Sequence, residues 1–267
     1  MAKRNEFINL MIVNSIKKNF HNLFKGLFYR NIMVLETAVI IAGGKGTRLE
    51  EKTEDLPKPM IPIGGVPLIE RVIRWLKQNS VKNLVIGVAY KKEKIMDYLK
   101  DGRNLGVNIK YTFHDENGGT EDAFKAAIEQ SSIKDENFYA MNGDQITDLQ
   151  LEGLTNAHLK NGAVATLVTV RLRTNFGIID VDMQDRVTKI HEKWSVPNVL
   201  MNSGIYVFNQ GIRNYLEGGN IEEKTFRKLA KEGKLYSFYY NGEWMTVNDK
   251  KELKKAGEFL KKFDSII

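Results

Sequence analysis

Three glycines crowd the stretch Ala42-Gly43-Gly44-Lys45-Gly46-Thr47-Arg48-Leu49, directly after an apolar run at 37–41. None carries a side chain to block a close ligand, and their backbone N–H groups can converge on an anion. Arg48, and beyond it Lys58 in Pro57-Lys58-Pro59, add positive charge on either side. A strand, a glycine turn and flanking cations predict a cradle for a polyphosphate. A plain tight turn would need neither cation. The stretch lacks the G-x-x-x-x-G-K-[ST] pattern of a Walker A loop, and Leu49 stands where the dinucleotide pattern G-x-G-x-x-G requires its third glycine. A second turn, Asn142-Gly143-Asp144, follows the apolar run Phe138-Tyr139-Ala140-Met141. Alone it would be an ordinary turn after a strand; beside the glycine loop, Asp144 becomes a candidate site residue.

These turns need a frame. Hydrophobic patterning predicts strands at 37–42, 83–89, 107–113 and 137–141, and helices at 67–79, 91–100, 120–130 and 151–160. In the first helix Pro67 sits at a tolerated early position, and Leu68, Ile69, Val72, Ile73 and Leu76 form one apolar stripe. This alternation predicts an α/β, Rossmann-like fold, a mostly parallel sheet flanked by helices. Such sheets bind ligands at the carboxyl ends of their strands, where both turns lie. The second half changes character. Short strands are expected at 163–170, 177–182, 186–192 and 202–208, then a helix at 221–231, a strand at 235–241 and a last helix from about 249. They read as a strand-rich lid built onto the first half.

The chain has 267 residues and 42% apolar content, enough for one sizeable core, and no apolar run long enough to span a bilayer. It has no cysteine, which excludes disulfides and thiolate metal sites. The four histidines, His21, His114, His158 and His191, are scattered without metal-ligand spacing. Residues 1–32 hold net charge +5 of the chain's +7, so the remainder is nearly balanced and offers no basic face for nucleic acid. In that segment Val13, Ile16, Phe20, Leu23 and Leu27 recur at helical spacing between lysines. A basic amphipathic helix on a membrane surface is one reading. The expectation here is the plainer one: 1–32 is an extension outside the fold, with Met33 a natural start and 33–267 the working domain.

Several separated motifs agree in order with one known family. A-G-G-K-G-T-R-L followed by L-P-K-P-M at 56–60 resembles the signature of the sugar-1-phosphate nucleotidyltransferases. Gly118-Gly119-Thr120 resembles their L-G-T segment, Asn142-Gly143-Asp144 their G-D metal motif, and Phe176-Gly177-Ile178-Ile179 their Y-G-V-V strand. Glu192-Lys193 resembles E-K-P, Asn202-Ser203-Gly204-Ile205-Tyr206 resembles N-A-G-I-Y, and 244–253 resembles the closing W-x-x-V-D-T-x-x-D-L segment. The match runs from about residue 37 to 260. Trp194 departs from the family's proline, which bears on the sugar pocket more than on the nucleotide pocket.

The resemblance implies transfer of a nucleotidyl group from an NTP to a sugar 1-phosphate, giving an NDP-sugar and pyrophosphate. The attacking phosphate oxygen is already ionised at neutral pH, so catalysis rests on positioning and on cations. Arg48, Lys58, Asp144 and Lys193 are then the catalytic set. Ala42, Gly43, Gly44, Gly46, Thr47, Gly119 and Thr120 hold the nucleotide. Gly177, Glu192 and Asn202 read the sugar. Asp144 and Asn248 carry Mg²⁺, although Asn248 stands where many relatives have Asp. Either Asn248 or Asp249 could instead cap the last helix, with Glu252 completing a capping box. Mannose- or heptose-type guanylyl transfer is favoured over thymidylyl, uridylyl or cytidylyl transfer. The expected setting is a reducing cytoplasm, and a homo-oligomer is compatible with it. Two other readings compete: a catalytically silent, nucleotide-sugar-binding subunit of the same fold, and a glycosyltransferase. The latter normally needs D-x-D, whereas the carboxylate after Asp144 is Asp148.

Overall fold

The computed structural model describes residues 35–46, 49, 55–174, 176–192 and 195–263. Segment 1–32, and with it Thr47, Arg48, Lys193 and Trp194, lies outside the described residues.

The first strand, β1 (Thr37–Ile41), is almost wholly buried, as a short β-branched run in the middle of a parallel sheet should be. Two short strands follow, β2 (Pro62–Ile63) and β3 (Val66–Pro67), then helix α1 (Leu68–Gln78) with Pro67 at its N-cap. Next come β4 (Asn83–Val88), α2 (Lys92–Leu99), β5 (Asn108–Phe113), α3 (Thr120–Ser131) and β6 (Asn137–Asn142). The three-residue strand β7 (Gln145–Thr147) precedes α4 (Leu151–Asn161). The second half holds β8 (Ala165–Arg173), β9 (Ile178–Val181), β10 (Val187–His191), β11 (Ser195–Asn209), α5 (Thr225–Lys231), β12 (Leu235–Tyr239), β13 (Trp244–Thr246) and α6 (Lys250–Phe263).

Seven strands make one sheet in the order β12-β8-β11-β6-β1-β4-β5. β1 pairs in parallel with β4 and β6, β4 with β5, and β12 with β8; β11 alone runs antiparallel to its neighbours β6 and β8. The mostly parallel α/β sheet is therefore present. The second half, however, contributes three strands to that same sheet. The strand-rich lid narrows to the β9–β10 hairpin and the outer ends of β8 and β11 that bear it. β11 has 15 residues where seven were expected. Pro197 and Asn198 interrupt its first half, and the pairing shifts between Ser195 and Leu200, so its alternation reads as a loop.

Side chains alternate across β1. Ala38 and Ile40 join a core that includes Ile69, Val72, Leu76, Ile95, Leu99, Leu151 and Leu154 of helices α1, α2 and α4. Val39 joins a second core with Phe124, Ala127 and Ile128 of α3 and with Phe226 and Leu229 of α5. The period of two along the strand is what makes one strand serve two helix layers. No helix among the described residues is long and apolar enough to cross a membrane.

Candidate active site

The glycine turn leaves β1 tied to its neighbour, with the Ala42 N–H donating to Gly87 O at 2.8 Å. Gly43 faces inward. A Cβ there would sit 2.3 Å from His114 Cε1 and 3.0 Å from Ala89 Cβ, so a side chain would have to displace the His114 ring. Gly44 is open, with nothing within 4 Å of an added Cβ. Lys45 turns away from the turn to Glu116 Oε1 at 3.0 Å. At the far end, the Leu49 N–H donates to Gly46 O at 2.8 Å and the Leu49 side chain is fully buried.

Leu49 anchors the loop in a third apolar cluster with Ile61, Ile63, Leu68, Ile146, Val247, Leu253 and Ala256. This cluster explains how distant segments converge. Ile61 closes the tight turn that begins at Lys58, Ile146 lies two residues after Asp144, and Val247 immediately precedes Asn248. Burying these apolar neighbours together brings the polar residues beside them to one place; each buried aliphatic side chain contributes about 1.5–3 kcal/mol.

There Lys58 Nζ donates to Asp144 Oδ2 at 2.6 Å and to Asn248 Oδ1 at 2.8 Å. The two charged side chains are 13% and 23% exposed, so their attraction is only partly screened. Gly143, just before Asp144, donates its N–H to Ile41 O at 2.8 Å, which pins the second turn to the end of β1. The other carboxylate oxygen, Asp144 Oδ1, accepts from Gln145 Nε2 at 2.7 Å.

The two readings of Asn248 and Asp249 separate here. Asp249 caps α6, its Oδ1 accepting from the Glu252 N–H at 2.7 Å. Glu252 Oε2 reaches back to the Asn248 N–H at 2.7 Å, one residue before the cap. The Asn248 side chain is thus spared from capping and meets Lys58 beside Asp144. Asp144 and Asn248 offer hard oxygen donors on either side of one cation. That donor set fits Mg²⁺, which takes one or two protein oxygens and completes its shell with phosphates and water.

The G-G-T segment is placed differently from a bare nucleotide loop. A Cβ on Gly119 would lie 1.8 Å from Gly219 O, so this glycine is needed where the loop at 217–221 docks. Carboxylates hold that dock. Asp122 Oδ2 accepts from the Gly119 and Gly219 N–H groups at 2.8 and 3.0 Å. Glu121 Oε1 accepts from the Glu217 and Gly218 N–H groups at 2.5 and 2.6 Å. Thr120 Oγ1 accepts from the Ile221 N–H at 3.3 Å. Gly119 and Thr120 therefore join the first half of the chain to its second half.

Of the residues expected to read the sugar, Gly177 and Glu192 meet at the base of the β9–β10 hairpin, where a Cβ on Gly177 would be 3.5 Å from Glu192 Oε1. Asn202 lies on β11. Its Oδ1 accepts from the Gly204 N–H at 3.0 Å, and its Nδ2 donates to Tyr206 OH at 2.9 Å and Glu222 Oε1 at 3.3 Å. Burial, and next the nearby Glu222 charge, raise the Tyr206 pKa, so its hydroxyl stays protonated. Asn202 is thus a strut between β11 and the segment after Gly219.

Sequence reasoning missed His114, Gln145, Thr246 and Glu222. A signal for His114 existed: it directly follows the predicted strand 107–113, at the same sheet edge as the glycine turn. Its Nε2 is buried without a partner beside Gly43. Gln145 directly follows the Asn142-Gly143-Asp144 turn and Thr246 lies within 244–253, but neither residue type singles itself out there, and Glu222 carries no local signal.

A family profile described as nucleotidyl transferase matches residues 37–262. The chain is 34% identical over 209 residues to D-glycero-alpha-D-manno-heptose 1-phosphate guanylyltransferase of Campylobacter jejuni, covering 76% of this chain and 92% of that protein. It is 30% identical over 230 residues to UTP-glucose-1-phosphate uridylyltransferase of Synechocystis sp., covering 79% of this chain and 59% of that one. The chain spans between half and two thirds of several such curated relatives. Among solved structures, HddC from Yersinia pseudotuberculosis superposes with a TM-score of 0.68 at 26% identity, over 85% of this chain and 100% of that one.

Proposed function

The chain belongs to the nucleotidyl transferase family, and from that premise we propose that it transfers a nucleotidyl group from an NTP to a sugar 1-phosphate, with Mg²⁺ as cofactor. The products are an NDP-sugar and pyrophosphate. The observation that carries this reading is the meeting of Lys58, Asp144 and Asn248 at the end of β1 and β6, beside the glycine turn.

The obstacle in this reaction is repulsion between two polyanions. The sugar phosphate oxygen attacks the α-phosphorus in line, the bond from that phosphorus to the bridging oxygen breaks, and the electron pair leaves with pyrophosphate. No proton need be removed, so no general base is required. Lys58 supplies a positive charge: its ammonium rests between Asp144 and Asn248, where it would meet the reacting phosphates. Mg²⁺, when bound, draws negative charge from the reacting phosphates. Asp144 and Asn248 would hold that ion, the glycine turn would admit the triphosphate, and Arg48 would neutralise its outer oxygens. Lys193 would grip the sugar phosphate from the hairpin side, and Glu192, the backbone at Gly177 and Asn202, the last through its shared network with Glu222, would read sugar hydroxyls.

We favour GTP and a mannose- or heptose-type 1-phosphate. The coverage of the Campylobacter guanylyltransferase, 92% of its length, supports this choice, while the Synechocystis relative keeps uridylyl transfer as the alternative. The working unit in this reading is 33–267, supported by the compact clustering of Val34–Ile267. A cytoplasmic location, where NTPs are supplied, goes with it.

The test is a substrate matrix, each NTP against a panel of sugar 1-phosphates, with pyrophosphate release as the readout. Turnover in the GTP column is the expected result. Turnover confined to another column would keep the reaction and overturn the base. Nucleotide binding with no turnover in any cell would favour the silent subunit.

A further inference from the structure

β7 and β13 form a separate three-rung antiparallel ladder in which Gln145 faces Thr246, Ile146 faces Met245 and Thr147 faces Trp244. Opposed residues of such a ladder project to the same side. Gln145 and Thr246 each hold one of the two side chains that meet Lys58. Gln145 Nε2 donates to Asp144 Oδ1 at 2.7 Å. Thr246 Oγ1 accepts from Asn248 Nδ2 at 2.6 Å. In both cases the bond is made to the atom that does not face Lys58, leaving Asp144 Oδ2 and Asn248 Oδ1 turned toward the cation. We propose that Gln145 and Thr246 are a pair of positioning residues that orient these two oxygens for a divalent ion, an inference that rests on the Mg²⁺ reading above.

The physical reason lies in the difference between a carboxylate and an amide. A carboxylate presents oxygen whichever way it is turned. An amide turned by half a revolution presents NH₂ instead, and two N–H donors repel any cation. With asparagine at 248, a partner is needed to fix the amide. Thr246 Oγ1 accepts from the amide nitrogen, which favours the orientation that leaves Oδ1 on the side where Lys58 Nζ donates to it. Outer partners of this kind commonly govern the orientation of metal ligands.

Gln145 is the mirror case. The carboxylate accepts only, so the glutamine must turn its nitrogen to Asp144. Gln145 is 4% exposed, and its Oε1 is buried without a partner. An apolar side chain would avoid that desolvation penalty, so packing alone does not account for an amide here. Room for it comes from β11, where the pairing with β8 shifts between Asn202 and Tyr206. Gly204 lies in that shift at φ +80°, and a Cβ on it would stand 2.8 Å from Gln145 Nε2.

The test uses the full chain with Gln145→Leu, Thr246→Val and Thr246→Ser, and with Mn²⁺ alone as the probe. Bound Mn²⁺ is counted by electron paramagnetic resonance, and melting is followed in EDTA. The expected result is about tenfold weaker Mn²⁺ binding in Gln145→Leu and Thr246→Val, with Thr246→Ser within about twofold of the parent. Should Gln145→Leu fail to fold, the Thr246 pair decides. Parent-like Mn²⁺ binding by a folded Thr246→Val, or no recovery in Thr246→Ser, overturns the proposal. A parent chain that binds no Mn²⁺ overturns both the brace and the Mg²⁺ reading. A parent that binds Mn²⁺ but turns over no substrate pair overturns the proposed reaction and leaves the brace standing.

Discussion

The cation-bearing ends of β1 and β6 and the β9–β10 hairpin both carry proposed site residues, and they are built in opposite ways. At the first, Lys58 reaches Asp144 and Asn248, 86 and 190 positions away, over a shared apolar cluster. In the second, Ile179 pairs with Ile190 and Val181 with Val187, contacts closed within one turn. Those four side chains lie on one face of the hairpin and remain more than half exposed. The region proposed to handle the phosphates is held by the same packing that holds the fold. The hairpin proposed to handle the sugar stands outside it. Chemistry common to a family can thus sit on a rigid base while substrate selection sits on a part that changes without disturbing the core.

The sharpest way to break this comparison is at Lys58. Lys58→Met or Asp144→Ala should lower kcat/KM about a thousandfold, the scale for losing a charge that stabilises the transition state. Loss of less than tenfold in steady-state kinetics would show that the cluster positions nothing essential. The core below the site supplies a second contrast. His158 is buried, with Nδ1 2.8 Å from Thr166 Oγ1 and Nε2 3.0 Å from Asn137 Oδ1. Burial lowers its pKa to about 4 from the ordinary 6.5. The unfolded chain therefore takes up this proton first. Its contribution is intact above pH 6.5 and is lost as the pH falls toward 4, on the order of 3 kcal/mol in all. His158→Gln should flatten that part of the stability profile, read by urea unfolding at stepped pH, while leaving the pH dependence of kcat unchanged.

Glu192→Gln probes the other region. The KM for the sugar 1-phosphate should rise about tenfold, the value of one charged hydrogen bond, with the NTP KM unchanged. Equal rises in both would mean that the hairpin and the glycine turn form one pocket rather than two regimes. The smallest effect is expected at the α6 cap. Asp249→Ala removes the bond to the Glu252 N–H and should cost about 1 kcal/mol in chemical denaturation. A kcat change much larger than that stability loss would show that Asp249, rather than Asn248, serves the site.

Much of the sheet was legible. Runs such as 37–41 and 137–141 are long and apolar enough to announce buried strands, and the turns after them mark the sheet edge. β7 and β13 were not, because three residues are too few to establish a period of two. Gly118-Gly119-Thr120 was visible as a motif but not as a docking point for 217–221. Its tightest contact, at Gly219, comes from a residue 100 positions later. The choice between Asn248 and Asp249 also needed coordinates, since both residue types cap helices well.

From residue order alone came the α/β plan, the expectation of phosphate-binding chemistry and the individual candidates Lys58 and Asp144, because local patterning and residue type determine what a segment can form and bind. The tertiary structure decided which candidates meet. It turned Asn248 toward Lys58, assigned the cap to Asp249, and set Gln145 and Thr246 behind the two oxygens. Those outcomes depend on side-chain directions imposed by packing between segments far apart in the chain, and no local stretch of sequence encodes them.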